Sequence, residues 1–162
     1  MRKFVLLAAV FGLVSFSTPA QEYPKVEFFG GYQFTHLDSS VNSNGWNFST
    51  TGNLTTWFGG KADFSGTYKY GANLHTFMFG PVFTLHKSGD LAPFAHVLVG
   101  NDYISDGRST SGFSMAIGGG LDVKVNHQVA LRLVQADWLP LYVGSNWVNK
   151  NTRVSAGLVL RF

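Results

Sequence analysis

The sequence predicts an all-β chain, an antiparallel up-and-down barrel of about eight strands behind a cleaved leader. Three observations carry that prediction. Side chains alternate with period two from Lys25 to Phe162, clusters of Gly, Asn, Asp and Ser interrupt the alternation about every ten residues, and no stretch of useful length keeps a helical period.

Composition narrows the class. Charged residues make up 13% of the 162, roughly half the usual share, whereas Gly and Phe number 19 and 15. A soluble domain of this size ordinarily needs more charge outside. Residues 25–162 suit a single domain, since no Pro-rich, Ser-rich or charge-rich linker divides them. Cysteine is absent, which excludes a disulfide framework, a thiolate metal site, a cysteine nucleophile and a lipid-modified N-terminal cysteine.

The leader comes first. Basic Arg2 and Lys3, an apolar run from Phe4 to Phe16 and small residues up to Ala20 are the three parts of a secretory signal peptide, expected to span residues 1–20. The apolar run is well short of the roughly 20 residues a spanning helix needs. Removing Arg2 and Lys3 leaves 10 basic and 9 acidic residues, a net of +1, and with it no electrostatic case for nucleic-acid binding.

The strands follow in order. The first sets Val26, Phe28, Gly30, Tyr32 and Phe34 against Glu27, Phe29, Gly31, Gln33 and Thr35. The second sets Trp46, Phe48, Thr50 and Leu54 against Asn47, Ser49, Thr51 and Asn53, and the third Phe58, Ala62 and Phe64 against Lys61, Asp63, Ser65 and Thr67. The fourth aligns Phe77, Phe79, Pro81, Phe83 and Leu85, where Pro81 predicts a bulge or a local break in pairing because it lacks a ladder donor. The fifth, from Pro93 to about Asn101, sets Ala95, Val97 and Val99 against Phe94, His96 and Leu98.

Alternation is clearest in the sixth strand, with Phe113, Met115, Ile117, Leu121, Val123 and Val125 opposite Ser114, Ala116, Gly118, Gly120, Asp122 and Lys124. The seventh begins with Val129, Leu131 and Leu133 on the apolar face, but strict alternation would then place Gln135 and Asp137 there too. Either a bulge resets the phase after Leu133 or Asp137 lies at a rim. The eighth aligns Val154, Ala156, Leu158, Leu160 and Phe162 against Arg153, Ser155, Gly157, Val159 and Arg161.

Period alone does not say which face is outside, since a soluble lipocalin-like barrel alternates in the same way with its apolar side inward. Three features favour a membrane barrel. The polar face is mostly Gly, Ser, Thr and Asn with isolated charges of both signs, which suits a narrow packed interior. Trp46, Trp57, Tyr68, Tyr70, Tyr103, Trp138, Tyr142 and Trp147 gather toward strand ends, where headgroup belts would lie. The last strand ends on an aromatic of the apolar face, Phe162. Only a closed barrel lets strands cross hydrocarbon without orphaned backbone groups.

An even strand number puts both termini on the periplasmic side. The outward connections are then expected at about His36 to Asn44, Tyr68 to Asn73, Asp102 to Ser111 and Pro140 to Lys150, and the inward turns at Thr55-Thr56, His86 to Asp90 and Asn126-His127.

The opening KVEFFGGYQF, the Gly-rich FSMAIGGGLDVKV and the closing RVSAGLVLRF resemble the small eight-stranded outer-membrane barrels that include the transmembrane domain of outer membrane protein A, outer membrane protein X and the opacity proteins. The resemblance covers Lys25 to Phe162. It implies location in the outer membrane of a Gram-negative-type bacterium as a monomer among outer-membrane lipids. It also implies contact with periplasmic chaperones and the barrel assembly machinery, for which Leu158, Leu160 and Phe162 would form the assembly signal. The chain departs from the outer membrane protein A pattern in having no C-terminal peptidoglycan-binding domain, so the resemblance implies no cell-wall tether.

No catalytic, cofactor or metal site is expected. His36, His75, His86, His96 and His127 are scattered without ligand spacing. Because some barrels of this size are lipid A-modifying enzymes, His36, Asp38 and Ser39 invite a catalytic reading, but loop proximity is not a triad. Gly118 to Gly120 sits mid-strand and opens no helix, so it reads as close packing rather than a phosphate loop. The inward charges are expected to be Glu27, Lys61, Asp63, Asp122, Lys124, Arg132, Arg153 and Arg161, neutralising one another and plugging the lumen. Function is expected to be structural or surface-interacting, with contact to a surface ligand through the outer loops as its sharper form, and with a small or transient pore and a lipid A-modifying enzyme as alternatives.

Overall fold

The computed structural model describes residues 23–37, 41–69, 72–86, 89–105, 109–143 and 146–162. The expected signal peptide lies outside the described residues. The strands are β1 (Val26–Leu37), β2 (Val41–Asn53), β3 (Phe58–Lys69), β4 (Ala72–Thr84), β5 (Leu91–Ser105), β6 (Ser109–Lys124), β7 (Val129–Trp138), β8 (Leu141–Val143), β9 (Asn146–Val148) and β10 (Thr152–Arg161). Each is antiparallel to its neighbours, and β1 pairs with both β2 and β10. With β5 also paired to β6, the sheet closes on itself.

The ten segments form eight staves. β8 extends β7 outward beyond Leu139 and Pro140 along β6, and β9 pairs back along β8 before the chain enters β10. Closure at the inner end uses the chain ends: the Lys25 and Val26 amides donate to the Phe162 carbonyl at 2.7 and 3.0 Å, and the Phe162 amide donates to Val26 at 2.9 Å. The Phe162 ring meets Phe28 edge-on at 6.1 Å between centroids.

Burial follows the period. In β1 and β10, inward residues are buried and outward ones exposed, with the inward Gly31 and Gly157 intermediate. Exposed apolar residues ring the barrel, among them Phe28, Phe48, Phe64, Phe79, Val97, Ile117, Leu131 and Leu158. A soluble lipocalin-like barrel would show the reverse, so this surface is built for hydrocarbon. Toward the outer rim the outward rows become amphipathic: Tyr32 donates to Asn44 at 2.6 Å and Trp46 to Tyr68 at 3.0 Å. On the inner side Trp57 stacks on Phe83 at 5.9 Å.

The strands run further than alternation predicted. Residues 38–40, 70–71 and 106–108 separate the strands of the first three outer connections, and the last is broken into 139–140, 144–145 and 149–151 by β8 and β9, against the longer connections expected there. The outer ends of the strands rise past the apolar band, so their outward residues, such as Asn42, Asn101 and Ser111, are polar and the contrast between faces disappears. The inner turns, 54–57, 85–90 and 125–128, lie where the sequence puts them.

Both irregularities have local causes. Pairing between β4 and β5 lapses at Gly80 and Pro81 and resumes at Val82 in the same register, so Pro81 breaks the ladder without a bulge. In β7 the register against β6 shifts between Leu121 and Asp122, and against β10 between Ser155 and Gly157. Leu133 and Val134 consequently both face outward, while Gln135 and Asp137 turn inward and are buried. A bulge therefore resets the phase, and Asp137 is a lumen residue rather than a rim residue.

Candidate functional site: the closed polar lumen

The lumen is filled by one connected network of charges. At its inner end His86 lies 3.2 Å from Glu27, which also faces the Arg161 guanidinium at 3.2 Å and accepts from Asn53 at 2.8 Å. Arg161 reaches Asp122 at 3.6 Å, and Asp122 accepts two bonds from Arg132 at 2.8 and 3.0 Å. This fork-on-carboxylate geometry is the strong form of such a pair. The guanidinium is sandwiched between Phe29 and Phe94, with ring centroids 4.3 and 4.2 Å away. Two aromatic faces supply favourable electrostatics where water is excluded.

Gln135 joins the inner and middle levels, accepting from Arg132 at 2.8 Å and Lys61 at 3.1 Å while donating to Asp137 at 2.8 Å. Arg153 is the hub above it. Its guanidinium contacts Asp137 at 2.6 Å and Asp63 at 2.8 Å, and all three side chains are at 0% exposure. Asp63 also accepts from Asn47 at 3.0 Å, and His96 lies 2.9 Å from Asp137. A buried charge without such partners is costly enough to unfold a domain, so the members stabilise one another conditionally.

Glycines make the room. A Cβ on Gly118 would collide with the Ala136 carbonyl and the Asp137 carboxylate, and one on Gly120 with the Phe94 ring at 2.7 Å. The Gly-rich run of β6 is thus the wall against which the inward side chains of β5 and β7 pack. Above the network lies an apolar cluster of Met78, Leu98, Ala116 and Leu139, all inside the lumen.

Of the charges expected inside, Glu27, Lys61, Asp63, Asp122, Arg132, Arg153 and Arg161 are buried in the lumen. Lys124, expected inside, is not: it ends β6 at the inner rim and is exposed, because the wall stops before its side chain is enclosed. Sequence reasoning missed Gln135 and Asp137 through the bulge, and it missed Asp102 by placing it in a connection. Asp102 is an inward residue of β5, opposite Gly112 of β6. The continued alternation of Phe94, His96, Leu98, Gly100 and Asp102 was the signal that could have found it.

The histidines do not converge, and among the described residues no group of three or more His, Cys, Asp or Glu could hold a metal. His36 bonds Asn42 at 2.6 Å, while Asp38 and Ser39 lie outside the described residues. Leu158, Leu160 and Phe162 form an exposed outward row on the last strand.

An apolar exterior closed around a charge-filled core defines a small transmembrane β-barrel. No protein-family model matches the chain, and no curated protein does. Among solved structures, Neisserial surface protein A superimposes with a TM-score of 0.63 at 12% identity over 90% of this chain and 100% of that one. The N-terminal β-barrel domain of OprF from Pseudomonas aeruginosa gives 0.58 at 12% identity over 86% and 99%. The outer membrane protein Ail of Yersinia pestis in a bilayer nanodisc gives 0.54 at 16% identity over 86% and 99%. The fold is that of the small eight-stranded outer-membrane barrels of Gram-negative bacteria.

Proposed function

We propose that this chain is a non-conducting outer-membrane barrel that acts through its outer rim, in a structural or surface-interaction role, and not as an enzyme. One observation carries the reading: the network from His86 to Arg153, with Met78 and Leu98 above it, occupies the lumen and leaves the rim as the surface open to a partner. The similar solved structures named above are surface and outer-membrane barrels, which supports a non-catalytic role. The attachment named in the description of Ail, an attachment invasion locus protein, supports surface contact as the form that role takes. Leu158, Leu160 and Phe162 would be read by the assembly machinery during insertion.

The test is electrical. The purified barrel in a planar bilayer is expected to pass no current, whereas Glu27→Ala or Arg132→Ala, each removing one rung of the network, raises conductance. Stable channel steps from the unmodified chain would overturn the reading in favour of a pore.

A further inference from the structure

One outward row crosses β1 to β5 at the outer edge of the apolar band. Its paired residues run from Tyr32 to Trp46, then to Gly66, His75 and Tyr103. All but Gly66 are exposed. The next outward row toward the inner side holds Phe48, Phe64 and Phe77, which belong to the lipid-facing band. Hydrocarbon therefore gives way to headgroups at the level of Trp46.

Gly66 gives this row its shape. The other outward glycines of β1 to β3, Gly30, Gly52 and Gly60, are exposed and have nothing within 4 Å of where a Cβ would stand, whereas Gly66 is buried. A Cβ there would lie 2.7, 2.8 and 3.0 Å from Nε1, Cε2 and Cζ2 of Trp46. The indole thus lies across Gly66, and its N–H donates to the Tyr68 hydroxyl at 3.0 Å. Tyr32 is tied down in the same way, donating to Asn44 at 2.6 Å, and His75 meets Tyr68 edge-on at 5.6 Å between centroids. Although held by these contacts, Trp46 remains 43% exposed and Tyr32 58%. The rings form a fixed platform with little side-chain freedom left to lose on binding.

The chemistry of the platform selects its occupant. From this row to the outer ends of β1 to β5, no outward position among the described residues is Lys, Arg, Asp or Glu. A phosphate-bearing headgroup is recognised by guanidinium or ammonium groups, which this face lacks. A pyranose calls for different equipment. Its C–H faces carry slight positive charge and settle on the negative face of an aromatic ring, while amides and hydroxyls beside the ring meet its hydroxyl groups. Asn42, Asn44 and Tyr68 are exposed beside the rings and supply those groups.

We infer that the face centred on Trp46 binds the neutral sugar of a glycolipid headgroup in the outer leaflet beside the barrel. The face looks sideways at headgroup height, so its sugar is one carried by a neighbouring lipid whose acyl chains run along Phe48, Phe64 and Phe77. The top of the rim stays free for other contacts.

The experiment folds the full barrel in micelles holding equal amounts of three lipids with the same acyl chains: a monoglucosyl diacylglycerol, a phosphatidylcholine and a phosphatidylglycerol. Lipid that stays with the purified barrel is counted by mass spectrometry. The unmodified chain is expected to retain the glucosyl lipid over either phospholipid by about threefold, the order of one ring contact. Trp46→Leu brings the three lipids to parity. Gly66→Ala does the same without removing any ring, because its methyl group lifts the indole from its seat, and it carries the test should Trp46→Leu fail to fold. Heat-dependent gel mobility reports folding of each variant, and Trp57→Leu, on the inner side, keeps the preference. Even retention by the unmodified chain, a preference for phosphatidylglycerol, or a preference for the glucosyl lipid that survives in a folded Trp46→Leu or Gly66→Ala variant overturns the assignment. So does an equal loss in Trp57→Leu, which would mean that any ring of the belts serves.

Discussion

Arg153→Met is the sharpest test of the network, because it removes a hub while keeping the volume of the side chain. Breaking one buried ion pair by deleting a partner costs about 3–5 kcal/mol, since the other charge stays buried. Arg153 serves two carboxylates, but neither is stranded completely. Asp137 keeps His96 at 2.9 Å and the Gln135 amide at 2.8 Å, and Asp63 keeps Asn47 at 3.0 Å and Lys61 at 3.9 Å. The expected loss therefore stays near that of a single pair, about 3–5 kcal/mol, rather than twice it. The assay is equilibrium unfolding in urea from phospholipid vesicles, read by tryptophan fluorescence and by gel mobility without boiling. The double variant Arg153→Met with Asp137→Asn removes a charge of each sign, so it should lose less than the sum of the single losses, with a coupling of at least about 1 kcal/mol. A loss below about 1 kcal/mol for Arg153→Met, or strict additivity in the double variant, would refute the claim that these charges hold one another in place.

Two further outcomes follow from the same geometry. Burial alone would lower the pKa of His86, in the turn between β4 and β5, but hydrogen bonds to the Glu27 carboxylate and the Thr56 carbonyl outweigh it and raise the pKa above its ordinary value of 6.5. A raised folded-state value means the stabilisation is complete below about pH 6.5 and fades as pH climbs through that raised value. His86→Ala should therefore lower the unfolding midpoint at pH 6 and approach the unmodified chain in alkaline buffer; a deficit that grows with pH would contradict the contact. Gly118→Ala should destabilise by about 1–3 kcal/mol, as overpacking against an immovable backbone does. Gly60→Ala, which meets nothing within 4 Å, should change stability by under about 1 kcal/mol, and equal losses for the two in the same unfolding assay would undermine the packing argument.

The alternation of Phe28 with Phe29 or Leu158 with Val159 was legible because the bilayer and the lumen are chemically different solvents for the two faces. It was legible only where both solvents act. At Asp102 to Ser105 the strand has passed the apolar band, so it read as a connection and Asp102 was misplaced with it. Lys124 erred in the opposite sense, continuing a correct parity past the point where the wall encloses anything. Gln135 and Asp137 depended on a backbone insertion, and no local composition announces whether a phase break is a bulge or the end of a span. The pairing of Arg153 with Asp63, from staves far apart in the chain, was beyond periodicity altogether, since it depends on how far around the closed sheet each side chain reaches.

The bulge at Leu133 and Val134 has a consequence for how the sheet is closed. A regular stave can be laid against its neighbours two residues out of step with little change in which side chains meet lipid, and such errors are hard to reject. β7 carries one extra residue between Arg132 and Gln135, so its two halves obey different parities and must match β6 and β10 separately. Sliding it by one residue would turn Arg132 or Asp137 outward, at about 2–4 kcal/mol for an arginine at the bilayer midplane. A slip by two would bring the insertion opposite the wrong partners on both sides. The irregular stave thus works as a key, letting the cylinder shut in one alignment and penalising the others before the chain is sealed.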